Sequence, residues 1–155
     1  IMESGSPGLE SESARSLRRR NDQRLAIRLI QQPLVDFVDY WQELPLFASQ
    51  KRLPKEIQQQ VRATRLSQQA FGLAMSLYYS GTGTQPSFWQ NLADIQCPFL
   101  VLTGEWDEKF FLIAKKMQQQ QPALTILSVS KAGHCVHLEC PDVVANEVHA
   151  WLTAH

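Results

Sequence analysis

The sequence predicts an α/β fold in which a series of helices precedes the end of a parallel sheet. Helical spacing of apolar residues dominates residues 11–79, whereas two short apolar runs at 99–103 and 124–129 alternate with further helical patterns. Continuous apolar runs bounded by turn residues are typical of parallel strands covered on both faces. Two strands with one crossover helix do not form a stable, covered sheet by themselves. We therefore expect the chain to be the C-terminal part of a larger protein.

Each predicted helix in the first part of the chain has a start or a stop signal. The polar, arginine-rich segment 11–32 ends at Pro33, which opens a second helix with an apolar stripe. Pro54 opens a third helix, and residues 67–79 continue as a more apolar fourth helix. The glycine- and proline-rich segment 81–86 then favours a turn. The stripe of the second helix consists of Leu34, Phe37, Val38 and Trp41.

The last third of the chain contains the predicted end of the sheet. In chain order we predict a buried strand, a helix, a second buried strand and a closing helix, at 99–103, 108–119, 124–129 and 142–153. The closing helix is expected to turn four apolar side chains inward, namely Val144, Val148, Trp151 and Leu152. We divide the chain into the end of a core strand with its turn, a helical lid and the C-terminal part of the core, at 1–8, 9–92 and 93–155.

The composition argues against several classes of function. Fifteen Lys and Arg residues balance fifteen Asp and Glu residues, so no net charge attracts the chain to nucleic acid or to an anionic membrane. The longest apolar runs fall far short of the roughly 20 residues of a membrane-spanning helix. Three cysteines, Cys97, Cys135 and Cys140, form no regular framework, which suits a reducing cytosol. We expect a cytoplasmic protein without a structural disulfide, a cofactor or a membrane span.

Candidate catalytic side chains follow the two predicted strands. Asp107 comes shortly after the first strand, and His134 shortly after the second. Because the carboxyl ends of parallel strands meet at one edge of a sheet, the two side chains are expected to share a site. An acid and a histidine in this order are two members of the α/β-hydrolase catalytic triad. Taken singly, Asp107 could instead cap the following helix, and His134 could be an ordinary loop residue.

The third member of such a triad is a nucleophile on a Gly-x-Ser-x-Gly turn, and the sequence contains no such turn. The segment Ser4-Gly5-Ser6-Pro7-Gly8 is superficially similar. Its proline disfavours the helical turn that should follow the serine and removes an N–H of the oxyanion hole. We expect the nucleophile in a missing N-terminal half, the partner of this chain. Without that half, the chain is expected to be inactive and to aggregate through exposed apolar surface.

Five segments carry a more restrictive pattern than an Asp–His pair. They are Gly-Glu-x-Asp-x-Lys-Phe at 104–110, Ala-Gly-His-x-x-His-x-Glu-x-Pro at 132–141, Gly-Thr-Gly-x-Gln-Pro-Ser-x-Trp at 81–89, Pro-Leu-Phe-Ala-Ser at 45–49 and Glu-Ser-Gly-Ser-Pro-Gly-Leu at 3–9. Together, over essentially the whole chain, they resemble the 2-succinyl-6-hydroxy-2,4-cyclohexadiene-1-carboxylate synthases, the MenH-type family of menaquinone and phylloquinone biosynthesis.

The resemblance implies a lyase that eliminates pyruvate from a small cyclohexene substrate with several carboxylates. The triad of that family abstracts a proton and forms no acyl-enzyme, with Asp107 here as the orienting acid and His134 as the base. The resemblance also places substrate-binding lid residues at Arg18, Arg65 and Trp41. Arginine suits a carboxylate because its planar fork can donate two parallel hydrogen bonds. The position of Arg18 has close neighbours of the same type, Arg15, Arg19 and Arg20.

Simpler interpretations stay open beside this one. The arginines of segment 11–32 could form a nucleic-acid surface, although acidic residues flank them and no aromatic residues interleave. Trp41 could serve packing alone. Ligand-type residues at 134–140 lack the paired, distant clusters of a zinc site, so no metal is expected. A carbon–carbon or ester hydrolase of the same fold would share Asp107 and His134, and a non-enzymatic binding module is a further alternative.

Overall fold

The computed structural model describes residues 1–155, which form two compact units. The first, here called the sheet unit, consists of Ile1–Ser6, Pro45–Leu53 and Gln90–His155. The second, here called the helical unit, consists of Pro7–Leu44 and Pro54–Trp89. Pro45–Leu53 thus packs with the sheet unit, although it lies within the segment 9–92 that the sequence assigns to a lid.

The sheet unit is built on three parallel strands in the spatial order β1-β2-β3, with the bounds Met2–Glu3, Leu100–Gly104 and Thr125–Val129. β2 is the central strand, and all of its residues are buried. It pairs with β1 through Met2↔Val101 and with β3 through Leu100↔Thr125. The apolar run forms a strand here because pairing on both edges satisfies its backbone while its side chains leave water.

Besides its strands, the sheet unit contains three helices and a 3₁₀ segment. The helices are α5 (Glu108–Gln120), α6 (Val136–Glu139) and α7 (Pro141–Ala154), and the 3₁₀ segment is Pro45–Arg52. Helix α5 crosses over from β2 to β3 and contacts both strands through a face that includes the fully buried Ala114 and Met117. The sequence prediction lacks three short elements, because elements this short carry little periodicity. They are this 3₁₀ segment, a second 3₁₀ segment at Trp89–Asp94 and the one-turn helix α6.

Strand β3 is less buried than the sequence predicts. Val129 is its only buried residue, whereas Thr125 and Ser128 are exposed. The prediction of a second buried strand is therefore wrong for most of its residues. The physical reason is its place in the sheet: β3 is an edge strand, so only one of its sides is paired.

Helix α7 also differs from its predicted orientation, since it contains no buried residue and Leu152 is 58% exposed. Val144 packs against a small core cluster of Val129, Ala132 and Val136. At 3.6 residues per turn, Leu152 is rotated by about 80° from Val144, whereas Val148 and Trp151 lie within about 40° of it. Leu152 therefore falls outside the contact stripe.

The helical unit contains four helices close to the predicted positions: α1 (Glu12–Gln31), α2 (Leu34–Gln42), α3 (Lys55–Leu66) and α4 (Ala70–Ser80). Pro33 and Pro54 directly precede α2 and α3, as the sequence predicts. The hydroxyl of Ser11 caps α1 by accepting a hydrogen bond from the backbone N–H of Ala14 at 3.1 Å. Helices α1, α2 and α4 share one apolar core, made of Ala26, Leu29, Phe37 and Ala74.

Candidate active site

Asp107 and His134 lie at the carboxyl edge of the sheet and face each other. Asp107 separates β2 from α5, and His134 lies in the loop that connects β3 to α6. The distance from Asp107 Oδ2 to His134 Nδ1 is 2.8 Å, which is a hydrogen bond. The Asp107 side chain is 5% exposed and the His134 side chain 20% exposed. The bond is thus largely shielded from water, although the ring remains accessible.

This arrangement argues against the simpler interpretation of Asp107. Asp107 occupies the N-cap position of α5, yet its side chain makes no capping hydrogen bond. Its carboxylate is turned towards the imidazole instead. A carboxylate that accepts a hydrogen bond from Nδ1–H holds the other ring nitrogen, Nε2, as the proton acceptor. The pair can therefore remove a proton from a group beside Nε2 and stabilise the resulting imidazolium.

Two phenylalanine rings border the imidazole of His134. The ring centroid of Phe110, in the first turn of α5, lies 4.6 Å from that of His134. Phe47, from the 3₁₀ segment, is buried and approaches the imidazole in an edge-on arrangement at 6.5 Å. Aromatic neighbours of this kind restrict the rotation of the ring and shield part of it from water. Phe110 lies within the Gly-Glu-x-Asp-x-Lys-Phe segment, whereas no local signal in the sequence connects Phe47 with His134.

The loops that carry Asp107 and His134 are also joined to each other by backbone contacts. The N–H of Trp106 donates to the carbonyl of Ala132 at 2.9 Å. A side chain on Gly104 would collide with the carbonyls of Ala132 and Gly133, so glycine is required where the two loops cross. The carboxylate of Glu105 accepts further hydrogen bonds from the loop that carries His134.

The predicted substrate-binding residues Trp41 and Arg65 lie in the helical unit and line the same cavity there. Its volume is about 240 Å³, and its walls are mostly apolar, with Leu29, Phe37 and Leu73 among them. Trp41 stacks on Phe37 with a centroid distance of 5.7 Å, which fixes its indole. An apolar cavity with a cationic side chain in its wall suits a small organic anion.

Arg18 does not line this cavity. Its Nε donates to Asp22 Oδ1 at 2.8 Å, and the Asp22 side chain is 3% exposed. A buried carboxylate requires such a partner, so Arg18 is at least partly occupied with stabilising α1. Its side chain is nevertheless 42% exposed, and the guanidinium has donors beyond Nε.

The neighbouring Arg15 and Arg19 are engaged within the helical unit. Both bind the carboxylate of Glu12, and Arg19 also donates to the carbonyl of Gly83 at 2.9 Å. Hydrogen bonds from Arg19, Arg15 and then Ser16 lower the pKa of Glu12 to about 2. Glu12 is therefore ionised at neutral pH and neutralises part of the positive charge of this cluster, which weakens the nucleic-acid interpretation.

The remaining ligand-type residues of the segment 134–140 are directed elsewhere. His137 Nδ1 lies 2.9 Å from the carboxylate of Glu3, and the Cys140 thiol is 3.8 Å from the carbonyl of Ser130. No group of three or more His, Cys, Asp or Glu side chains is arranged to hold a metal ion. Ser6 is not followed by a helix, because α1 begins only at Glu12, so the segment 4–8 lacks the geometry of a nucleophile turn.

A parallel sheet with an acid after one strand and a hydrogen-bonded histidine after the next defines a chain of the α/β-hydrolase class. Two solved structures share this fold at low identity. A thermophilic esterase from Thermogutta terrifontis is 24% identical, with a TM-score of 0.72, and the match covers 88% of this chain and 50% of the esterase. A Nitrososphaera gargenis protein from a study of carboxylesterases is 19% identical, with a TM-score of 0.75, and the match covers 99% of this chain and 55% of that protein. The chain has the C-terminal part of the α/β-hydrolase fold.

More specifically, the chain resembles the C-terminal part of MenH-type proteins. The structure of MenH from S. aureus matches 98% of this chain and 57% of its own, with 41% identity and a TM-score of 0.95. A Bacillus subtilis (strain 168) protein, provisionally named 2-succinyl-6-hydroxy-2,4-cyclohexadiene-1-carboxylate synthase, is 41% identical over 99% of this chain and 56% of its own. The Salmonella heidelberg (strain SL476) protein named as that synthase is 34% identical over 96% of this chain and 56% of its own.

The chain thus spans about half the length of the curated relatives that it matches. No protein-family model matches it. None of its helices is long and apolar enough to cross a membrane. The resemblance inferred from the five sequence segments is confirmed by these relatives.

Proposed function

We propose that this chain supplies the acid and the base of a 2-succinyl-6-hydroxy-2,4-cyclohexadiene-1-carboxylate synthase, a carbon–oxygen lyase of menaquinone or phylloquinone biosynthesis. The observation that carries the proposal is the 2.8 Å hydrogen bond between Asp107 and His134. It occurs in a chain that is 41% identical, over nearly its full length, to proteins of this kind.

The proposed substrate, 2-succinyl-5-enolpyruvyl-6-hydroxy-3-cyclohexene-1-carboxylate, differs from the product by pyruvate and by one ring double bond. The reaction is therefore a 1,4-elimination. The proton on C2, next to the succinyl carbonyl, is removed, its electron pair forms the C2=C3 double bond, the existing C3=C4 double bond shifts to C4=C5, and the C5–O bond breaks. The departing enolpyruvate takes up a proton and becomes pyruvate. Nε2 of His134 takes up the proton by way of the triad serine, and Asp107 stabilises the imidazolium. The negative charge that develops requires preorganised N–H donors.

The serine and those donors belong, in this proposal, to an N-terminal partner segment. Support comes from the half-length match to the relatives and from the absence of a Gly-x-Ser-x-Gly turn in the sequence. We propose that the chain is inactive without that segment and that the complete enzyme is cytoplasmic. We also propose that residues 1–8 and 93–155 belong to its core and residues 9–92 to its lid, of which Pro45–Leu53 packs with the sheet unit.

The proposal is tested with a complemented enzyme, in which this chain is fused behind the part of the Bacillus subtilis relative that it does not match. Pyruvate release from the cyclohexene substrate is measured, with simple ester hydrolysis measured in parallel. Pyruvate release from the fusion, and none from the chain alone, is expected. Ester hydrolysis without pyruvate release would favour a hydrolase of the same fold, and neither activity would favour a binding module.

The cavity of the helical unit supports a substrate-binding role for Arg65 and Trp41, because it combines an apolar wall with a guanidinium. A substrate with several carboxylates needs fixed, bidentate donors, which arginine provides and lysine does not. We assign Arg18 to the same role on the resemblance, with the guanidinium nitrogens other than Nε as the donors and Asp22 as its anchor.

Replacing Arg65 by alanine is expected to raise KM for the substrate by about 10-fold or more, since a hydrogen bond to a charged group contributes roughly 1.5–3 kcal/mol. Arg65→Lys should recover only part of the loss, because the ammonium keeps the charge without the fork. The measurement is steady-state pyruvate release by the complemented enzyme.

Arg62 provides a matched control on the same helix. Its guanidinium pairs with Asp39 at 2.7 Å, and both side chains are substantially exposed, so Arg62→Ala should leave KM unchanged. If Arg65→Ala has no larger effect on the kinetics than Arg62→Ala, Arg65 does not bind the substrate.

A further inference from the structure

The loop that carries His134 is held by two carboxylates other than that of Asp107. The first is Glu105, on the loop that also carries Asp107. Its Oε2 accepts hydrogen bonds from the hydroxyl of Ser130 at 2.9 Å and from the backbone N–H of Lys131 at 2.8 Å. Since Glu105 is only two residues from Asp107, the position of the acid and the position of the histidine loop are coupled by the same segment.

The second carboxylate is Glu139, at the end of α6. Its Oε2 accepts a hydrogen bond from the N–H of Gly133 at 2.7 Å, directly before the histidine. Its Oε1 accepts one from the hydroxyl of Ser49 at 2.9 Å. Ser49 belongs to the 3₁₀ segment, as does Phe47, whose ring borders the imidazole. Glu139 therefore connects the histidine loop with the segment that packs against the ring.

The histidine loop needs external support because its backbone is in an unfavourable conformation. Lys131 has a φ of 62°, in the left-handed region that residues with a side chain rarely adopt. Such a conformation persists only where the surroundings hold it in place. The N–H of the same residue is the donor to Glu105, so this carboxylate contacts the strained position itself.

We propose that Glu105 and Glu139 are positioning residues that hold the His134 ring at hydrogen-bond distance from Asp107. Neither carboxylate is hydrogen-bonded to the ring, so both act through the loop between Ser130 and His134. The proposal rests on the proposed function of His134 as the base. It predicts that the two residues influence the rate of proton transfer and not the affinity for the substrate.

Glu105 is ionised throughout the neutral pH range. The hydrogen bond from the N–H of Lys131, followed by that from the Ser130 hydroxyl, lowers its pKa below the ordinary value. The Glu105 carboxylate accepts both hydrogen bonds through one oxygen, Oε2. The carbonyl oxygen of a glutamine side chain can accept the same two bonds. At Glu139, a glutamine could accept from Gly133 and donate to the Ser49 hydroxyl. Glutamine variants therefore retain the bonds, whereas alanine variants remove them.

The first test measures the His134–Asp107 hydrogen bond directly. Proton NMR of the complemented enzyme, labelled with ¹⁵N-histidine, detects the Nδ1–H proton of His134 at low field, as expected for a hydrogen bond to a carboxylate. Glu105→Ala and Glu139→Ala should broaden or abolish this signal, while Glu105→Gln and Glu139→Gln should keep it. A signal that is unchanged in both alanine variants, or absent from the unsubstituted complemented enzyme, would overturn the proposal.

The second test separates positioning from a general loss of structure. In the complemented enzyme, each alanine variant should lower kcat by about 10²-fold, as expected for a catalytic group displaced by roughly 1 Å, with KM unchanged. The glutamine variants should stay close to the parent kcat. Equal losses in alanine and glutamine variants, or a parallel rise in KM, would contradict a positioning role.

Glu12 is the matched control, since it is also an exposed glutamate whose pKa is lowered by hydrogen bonds, but it lies in the helical unit. Glu12→Ala should leave both the NMR signal and kcat unchanged. The NMR measurement and the kinetic measurement together distinguish this inference from the proposed function. If the complemented enzyme releases no pyruvate while the alanine variants still lose the His134 signal, the lyase assignment fails and the positioning role stands.

Discussion

Replacing His134 by alanine is expected to lower kcat for pyruvate elimination in the complemented enzyme by on the order of 10³- to 10⁴-fold. A positioned general base accelerates proton transfer by up to roughly that factor, and no other imidazole is bonded to Asp107. KM should change little, because the ring acts on the reacting proton and not on the carboxylates of the substrate. The measurement is steady-state pyruvate release as a function of substrate concentration.

His137 offers a matched control for this substitution. It lies three residues from His134, its side chain is 68% exposed, and its ring is bonded to Glu3. His137→Ala should therefore retain nearly full kcat. Comparable losses of kcat in the two variants would show that any substitution in this segment lowers activity and that His134 is not the catalytic base.

Replacing Asp107 by asparagine is the second substitution with a large expected effect, a loss in kcat on the order of 10⁴-fold. Asparagine is nearly the same size, but its amide can donate a hydrogen bond to Nδ1. The ring would then carry its proton on Nε2 and could no longer accept one there. The asparagine variant should remain folded, so thermal unfolding is to be measured beside pyruvate release.

Glu108 provides the control for charge at this position. It follows Asp107 directly, is exposed, and lies in the first turn of α5, where a negative charge is favourable to the helix. Glu108→Gln should cost little in kcat. If Asp107→Asn were equally mild, the bond between the carboxylate and the imidazole would serve the structure and not the reaction.

The sequence predicts the strands and helices well where the signal is local. The run at 99–103 corresponds to β2, and Pro33 and Pro54 precede helices as expected. These features depend on side-chain pattern and on the missing N–H of proline, which act within a few residues. Burial was less predictable: β3 is an edge strand, and Leu152 lies outside the contact stripe of α7, because both outcomes depend on what other segments cover.

The immediate surroundings of His134 could not be predicted from the sequence. Ser49 and Glu139 are 90 residues apart in the chain, yet they are joined by a hydrogen bond. Phe47 reaches the imidazole from the same distant segment, a 3₁₀ helix without a clear periodic pattern. Glu105 and Glu139 were visible within the two restrictive segments, but nothing in the spacing showed that they hold a loop.

The arginines of α1 illustrate the same division. Their number and order are evident from the sequence, but the carboxylates with which they form ion pairs are not. Arg15 and Arg19 bind Glu12, and Arg18 is anchored by a carboxylate that the fold has buried. Packing determines which guanidinium groups keep N–H donors for a ligand. Asp22 is buried, so its carboxylate requires a cationic partner, and Arg18 is that partner.

The alternation of apolar runs and helical patterns is a property of local segments, so it was enough to predict that an acid and a histidine follow two neighbouring parallel strands. That topology is sufficient to bring Asp107 and His134 to one edge of the sheet. The 2.8 Å contact between them, and the hydrogen bonds from the loop to two further carboxylates, are evident only in the folded chain. Contacts of this kind join segments that are far apart in the chain, so their geometry arises from packing.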